Sequence, residues 1–294
     1  HYDSTLHETL RAVGRGEKPA NAIFDSLETV RWQGFPESAV HLRYVENHDE
    51  TRYLAECGEA ALRAAAATTF TLPGAPLLYY GQERGMTDDR GPMKWHDGDN
   101  ELTEFHRSLS ELREAYPVVN HGEIEPIAVG VVTTTEPMAK EATAEGDAVE
   151  TTAEDTNAVD DPADGGIIAA DDTATDTDSN TTDDTTTDTD SSTTDDTTAD
   201  TDSNADTVAT ADPEIQITDD PQHVIAFVRD DGDDRLLVVI NFGEIPATVS
   251  LPTAVGDTDL RTGEPLRKRH DPRAENTGHY IVVDDVVVCR PAAT

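Results

Sequence analysis

The stretch VHLRYVENHDE, residues 40–50, decides the fold class. Its first half contains the apolar residues Val40, Leu42, Tyr44 and Val45 and is bounded by polar residues. This pattern predicts a short buried strand over residues 41–46. A helix-forming segment at 56–70 follows and is expected to end at Pro73. A second apolar run at 77–80 then predicts another short buried strand.

Helical spacing of apolar residues predicts three further helices around these strands, at 5–15, 22–30 and 101–116. The alternation of short buried strands with helices is typical of a parallel α/β architecture. In such folds ligands bind at the carboxyl ends of the strands. We therefore expect the functional residues in the loops after Val45 and Tyr80.

After Val118 the pattern becomes β-rich, and DDGDD at 230–234 predicts a hairpin turn between two strands. These features predict a small antiparallel β-sandwich as a second domain. The β-rich runs are 124–132, 223–229, 235–242, 247–251, 279–283 and 286–290.

The segment 136–212 is dominated in its middle by Thr, Asp and Ser, with imperfect Asp-Thr-Asp repeats and no apolar periodicity. It is predicted to be a disordered insertion. Loop-closure entropy rises by only about 0.6 kcal/mol per doubling of loop length, so the sandwich can close around it. The predicted domains are 1–118 for the α/β part and 119–135 with 213–294 for the sandwich.

The chain is strongly acidic, with 21 basic and 61 acidic residues and a net charge of −40. This balance argues against nucleic acid and anionic membrane surfaces as partners, because both are polyanions. No apolar run reaches the roughly 18 residues of a membrane span. Cys57 and Cys289 are too few for a disulfide framework or a metal site, and each is expected to fill a core position.

The acidity also predicts a requirement for salt. About 26 acidic residues lie in 141–220, so the remaining residues still carry a charge of about −14. Such surfaces are typical of extreme halophiles, because 1 M salt screens carboxylate repulsion to about 3 Å. We expect circular dichroism to show more folded structure in about 3 M than in about 0.1 M salt. Equal spectra would contradict a halophilic adaptation.

Two polar loops carry the candidate chemistry. Asn47, His48 and Asp49 follow the first strand, a position where polar side chains can converge on a ligand. Taken alone, this trio is also compatible with a simple turn capped by Asn or Asp. The second loop reads GAPLLYYGQE over 74–83 and is followed by RGPMKW over 90–95.

In this order and at these separations, the blocks resemble the α-amylase superfamily, glycoside hydrolase family 13. The block 45–49 looks like that family's motif after the seventh strand of a (β/α)8 barrel, and 74–83 like the motif around the eighth. The runs 224–229 and 237–242 are similar to its C-terminal β-sandwich. The resemblance implies an α/β fold: a partial (β/α)8 barrel, with the last two strands and their helices, followed by an antiparallel β-sandwich.

The resemblance also implies roles for individual residues. Asp49 is the expected catalytic carboxylate, which holds the sugar's hydroxyls and favours an oxocarbenium-like transition state. Asn47 and His48 are expected to bind the same sugar. Arg90 and Trp95 are expected at the substrate rim, although Trp95 could equally be a packing residue over the barrel.

Three further carboxylates in these blocks are expected to be solvated, because exposed acidic residues are common here. They are Glu46, Glu50 and Glu83.

Retaining hydrolysis needs a nucleophile and a general acid about 5 to 5.5 Å apart. In the family these come from loops after the fourth and fifth strands, before the Asn-His-Asp block. A complete barrel takes about 250 residues, against roughly 120 ahead of the sandwich here. We therefore expect the C-terminal part of a larger or split enzyme that acts on α-glucosidic bonds of starch-like oligosaccharides. Its partners would be a maltooligosaccharide substrate and the missing N-terminal half of the barrel.

No cofactor or metal is expected in this segment, and calcium would belong to the full-length enzyme. Bond specificity stays open, as does localisation, with the cytoplasm slightly favoured. The alternative is a non-catalytic carbohydrate-binding or interaction protein with an acidic stalk.

Overall fold

Helices and short strands alternate through the N-terminal region of the computed structural model, which describes residues 1–36, 38–135, 214–218, 221–269 and 279–292. This order agrees with the sequence prediction. The elements are α1 (Ser4–Gly14), α2 (Ala22–Trp32), β1 (Leu42–Tyr44), α3 (Tyr53–Thr71), β2 (Ala75–Leu77), a 3-10 turn (Gln82–Arg84), α4 (Asn100–Ala115) and α5 (Val118–His121).

The two short strands pair in parallel, with Leu42 opposite Ala75 and Tyr44 opposite Leu77. The second strand lies earlier than predicted, because the chain leaves the pairing at Leu77 and Leu78 is already exposed. It is also only partly buried, which contradicts the prediction of a buried strand. On the far side of β1, Tyr2 forms a parallel bridge to Leu42. The parallel pair is confirmed, whereas its membership of a barrel stays a prediction.

Local signals set the helix ends. Asp3 caps α1, since its side chain accepts a hydrogen bond from the backbone N–H of Leu6. Gly58 interrupts α3 with a φ of 82°, a backbone conformation that favours glycine. The continuous part of α3 therefore begins after Gly58, later than the predicted start at residue 56, and it ends just before Pro73 as predicted.

The C-terminal region consists of two antiparallel sheets, as predicted. The strands are β3 (Glu123–Ile127), β4 (Gly130–Thr135), β5 (Glu214–Thr218), β6 (Val224–Asp230), β7 (Arg235–Asn241), β8 (Ala247–Leu251), β9 (Lys268–Arg269), β10 (His279–Val283) and β11 (Val286–Cys289). One sheet has the strand order β5-β4-β8-β10-β9 and the other β11-β7-β6-β3. The run 124–132 is therefore two strands in different sheets rather than one.

The predicted hairpin joins β6 to β7, with Gly232 at a φ of 88° in its turn. The predicted insertion 136–212 lies outside the described residues.

Three strands of the four-stranded sheet, β6, β7 and β11, are buried on both faces, whereas the edge strand β3 is exposed or only partly buried. Ile225 and Phe227 of β6 pack in one core with Leu10 and Leu109 of the helices. The alternate residue Ala226 packs in a second core against the other sheet. Successive side chains of a strand point to opposite faces, so both faces of these three strands must be apolar. This explains why β6 and β7 read as continuous apolar runs, without the polar alternation of a half-exposed sheet.

Three arginines bind the backbone carbonyls where α3 ends. Arg113 donates to Phe70 O at 2.7 Å, and Arg43 donates to Pro73 O at 2.9 Å. Arg229 of β6 is fully buried and donates to Thr71 O. The last carbonyls of a helix have no partner within it, so these cations satisfy them and fix the end of α3 to α4, β1 and β6.

Both cysteines are free. Cys289 is fully buried between the sheets, which confirms its predicted core position, and burial raises its pKa to about 12. Cys57 is half-buried beside the break at Gly58 and packs against the edge of the helical core, so its predicted core position is confirmed only in part.

Candidate active site

The loop after β1 turns sharply and presents two side chains to solvent. Val45 and Glu46 are still buried, and Asn47 is the first partly exposed residue. The Asn47 side-chain oxygen accepts a hydrogen bond from the backbone N–H of Asp49 at 2.8 Å. This Asx-type turn aims His48 and Asp49 outward. The turn that the sequence left open as an alternative is therefore formed, and it carries the candidate catalytic residue.

Arg90, from the loop after β2, completes a cluster with His48 and Asp49. Its Nε donates to His48 O at 2.9 Å, and its Nη2 lies 3.3 Å from Asp49 Oδ1. The other carboxylate oxygen of Asp49 lies 3.2 Å from His48 Nε2. All three side chains are 67% exposed. We call these three residues the exposed cluster; a ligand can reach each of them directly from solvent.

Beneath the exposed cluster lies a buried ion pair that the sequence analysis missed. Glu46 Oε1 is 2.7 Å from Arg52 Nη1, and Glu46 Oε2 accepts from the backbone N–H of Tyr53 at 2.7 Å. Burial raises the pKa of Glu46, against the lowering effect of these hydrogen bonds. The expectation that Glu46 is solvated is wrong. The available signal was an acid directly after a strand with an arginine six residues later, where a helix starts.

The other two acids set aside in the sequence differ from one another. Glu50 is partly buried. Glu83 is also partly buried, and its Oε2 is shielded from solvent without a hydrogen-bond partner among the described residues. Neither is a fully solvated residue, because both lie at the edges of packed loops.

Two tyrosines shape the second loop. The Tyr80 hydroxyl donates to Gly91 O at 2.9 Å, close to Arg90 in the chain. The Arg52 guanidinium carbon lies 4.4 Å from the ring centre of Tyr79 and 5.0 Å from that of Tyr80. Cation–π contacts of this kind stabilise a buried arginine against an aromatic face.

Trp95 is 74% exposed, so it does not pack over the described residues as one of its two predicted roles required. No hydrogen bond or ring contact within the described part of the chain joins its side chain to the exposed cluster. The structure thus brings together Asn47, His48, Asp49 and Arg90, and leaves Trp95 as a separate exposed aromatic.

The described residues contain no group of three or more His, Cys, Asp or Glu side chains arranged to hold a metal ion. Likewise, none of the helices in the described part of the chain is long and apolar enough to cross a membrane.

Comparison with known proteins gives the family. The model described as the alpha amylase catalytic domain matches residues 21–172, more than half of the 294 residues. The chain belongs to the alpha-amylase family. Its sandwich region agrees with this assignment, since the family's C-terminal all-beta domain matches residues 215–284.

Two curated relatives illustrate how much of a family member the chain represents. It is 45% identical over 120 residues to the alpha-amylase MalA of Haloarcula japonica, covering 41% of this chain and 18% of the relative. It is 34% identical over 139 residues to neopullulanase 2 of Thermoactinomyces vulgaris, covering 42% of this chain and 24% of the relative. The matched part is therefore about a fifth to a quarter of these alpha-amylase family proteins.

Solved structures show the same fold. A noncanonic maltogenic alpha-amylase, AmyB from Thermotoga neapolitana, superposes with a TM-score of 0.57 at 16% identity, covering 98% of this chain and 49% of that one. AmyP in complex with maltose gives a TM-score of 0.55 at 13% identity, covering 100% of this chain and 50% of that one. This chain of the alpha-amylase family thus spans about half the length of these structures.

Proposed function

We propose that this chain is the C-terminal part of a retaining glycoside hydrolase that acts on α-glucosidic bonds of starch-like oligosaccharides. The observation that carries the proposal is the exposed cluster of His48, Asp49 and Arg90 where the first parallel strand ends. Relatives of the chain are described as alpha-amylases and neopullulanases, and one structural neighbour was solved with maltose. These descriptions support an α-glucan as the substrate class.

In this proposal Asp49 acts through its negative charge and its hydrogen bonds. Cleavage of a glycosidic bond passes through a transition state with positive charge on the sugar ring, which a fixed carboxylate stabilises. His48 and Arg90 each contact one oxygen of Asp49. The same two side chains are exposed and can donate hydrogen bonds to sugar hydroxyls.

The nucleophile and the general acid come, we propose, from polypeptide outside these 294 residues. Retention needs two further carboxyl groups about 5 to 5.5 Å apart. Glu46 is unsuitable, because Arg52 and the Tyr53 backbone occupy its two oxygens. Asp89 accepts a hydrogen bond from the Arg52 backbone at 3.2 Å and so serves the loop structure. No step is assigned to calcium, since the described residues offer no cluster of ligands that fits it.

Complementation tests this proposal. The chain alone, in about 3 M salt, is expected to release no reducing sugar from maltooligosaccharides. Addition of the N-terminal part of the Haloarcula japonica relative, ending where the 120-residue match begins, is expected to give turnover. The N-terminal part alone is the control.

Two results would contradict the proposal. Hydrolysis by the chain alone would show that it holds all the catalytic carboxylates. Retention on a starch column without turnover in any complemented mixture would instead favour the non-catalytic carbohydrate-binding protein.

A further inference from the structure

Arg52 connects the two loops that form the exposed cluster while itself lying beneath them. It is fully buried and immediately precedes α3, three residues after Asp49. Its ion pair with Glu46 closes the first loop, because Glu46 lies at the start of that loop and Arg52 at its end. The loop is therefore tied across its base by a charge-assisted hydrogen bond.

The same residue holds the second loop. Arg52 Nε donates to Asp88 O at 3.0 Å, and the Arg52 backbone N–H donates to Asp89 Oδ1 at 3.2 Å. The rings of Tyr79 and Tyr80 lie against its guanidinium. Arg90 directly follows Asp89 in the chain. Because Arg52 holds Asp88 and Asp89, it also fixes the backbone position of Arg90.

The contacts of the exposed cluster are too weak to fix the loops by themselves. The Arg90–Asp49 pair is at 3.3 Å with both side chains 67% exposed. Solvent-exposed ion pairs contribute little to stability, because water competes for both partners. The hydrogen bonds that Arg52 donates through Nε and Nη1 are stronger, because they are buried and water does not compete for these donors; its Nη2 has no hydrogen-bond partner among the described residues. The order of the cluster must therefore come from the residues below it.

We infer that Arg52 is a positioning residue that sets the geometry of Asp49 and Arg90 without touching the substrate. Its rigid fork reaches Glu46 in one loop and Asp88 in the other, so the distance between the loops is set by one planar group. A lysine at this position keeps the charge but cannot reach both loops in this fixed geometry. The catalytic consequence rests on the proposed function, whereas the structural consequence does not.

The test is the backbone order of the two loops in the full chain. Arg52→Lys is expected to lower NMR order parameters of residues 47–49 and 88–90 from about 0.85 to below about 0.6. The matched control is Arg31→Lys, which alters an exposed ion pair with Glu28 on α2. Residues 47–49 and 88–90 of this control variant are expected to keep the order parameters of the wild type. A folded Arg52→Lys variant with unchanged order parameters would overturn the inference.

A second variant covers the possibility that Arg52→Lys does not fold. Asp89 is exposed, so Asp89→Ala removes the acceptor for the Arg52 backbone N–H without removing a buried side chain. We expect reduced order at residues 88–90, and unchanged order there would also overturn the inference.

Activity separates this inference from the proposed function. In the complemented enzyme, Arg52→Lys is expected to lower kcat/KM by about a hundredfold, because small misplacements of catalytic groups cost rate. Wild-type complemented mixtures without turnover would contradict the proposed function and leave the result on loop order standing.

Discussion

Asp49→Asn is expected to lower kcat of the complemented enzyme on maltooligosaccharides by about a hundred- to a thousandfold. Asparagine has nearly the same shape but no negative charge, so the electrostatic stabilisation of a cationic transition state is lost. Removal of one preorganised stabilising group typically costs this much in kcat. Steady-state kinetics at saturating substrate measures the effect, since the amide can still bind sugar hydroxyls and KM should change far less.

Asp25→Asn is the matched control for this prediction. Asp25 is an exposed carboxylate on α2, and the same substitution there is expected to leave kcat unchanged. If Asp49→Asn retains the wild-type kcat in a mixture that complements normally, Asp49 has no part in the chemistry.

Arg229→Met is expected to lower the free energy of unfolding by about 3 to 5 kcal/mol. Methionine fills similar space but leaves the carbonyls of Thr71, Val119 and Gly122 without the donor that now serves them. Each buried acceptor left unsatisfied costs about 1 to 3 kcal/mol, part of which the structure recovers by relaxation. Urea unfolding followed by circular dichroism in high salt measures the change.

The physical reason for this large effect is the position of Arg229 between layers. Burial, with Arg113 and Arg43 nearby, lowers the pKa of Arg229 to about 9, so it remains charged at neutral pH. No carboxylate in the described residues lies within ion-pair distance, and the charge is balanced by helix-terminal and loop carbonyls. Arg235→Met is the control on the next strand, where the pair with Glu125 is exposed, and it should cost at most about 1 kcal/mol. Equal losses in both variants would refute this role of Arg229.

Much of the fold could be predicted because its signals are local. The spacing of Leu6, Leu10 and Val13 and the cap at Asp3 are sufficient for α1. The hairpin at 230–234 follows from its own turn residues. The burial of β6, β7 and β11 on both faces was not predicted, because the apolar runs of β6 and β7 do not show which partner covers each face. That information lies in contacts between residues far apart in the chain.

The candidate site shows the same division. The polar loop at Asn47–Asp49 could be predicted from its place after a strand, and Arg90 from the resemblance to the family. The Glu46–Arg52 pair could not, because its burial depends on Tyr79 and Tyr80 from the other loop. The one signal in the sequence, an acid after a strand with an arginine six residues later, does not by itself distinguish Glu46 from the other acids in a chain that has 61 of them.

The four-stranded sheet has one consequence for how such a chain can evolve. Because the two faces of the sheet belong to two different cores, the all-beta region cannot be exchanged for that of another protein without changing the core that it shares with the helices. Recombination at the α5–β3 junction would give the helices a new covering surface, one that must match them side chain by side chain. Residues that face each other in the core shared by the helices and the sheet are therefore expected to change together in evolution. Recombination between distant relatives should favour crossovers at positions other than the α5–β3 junction.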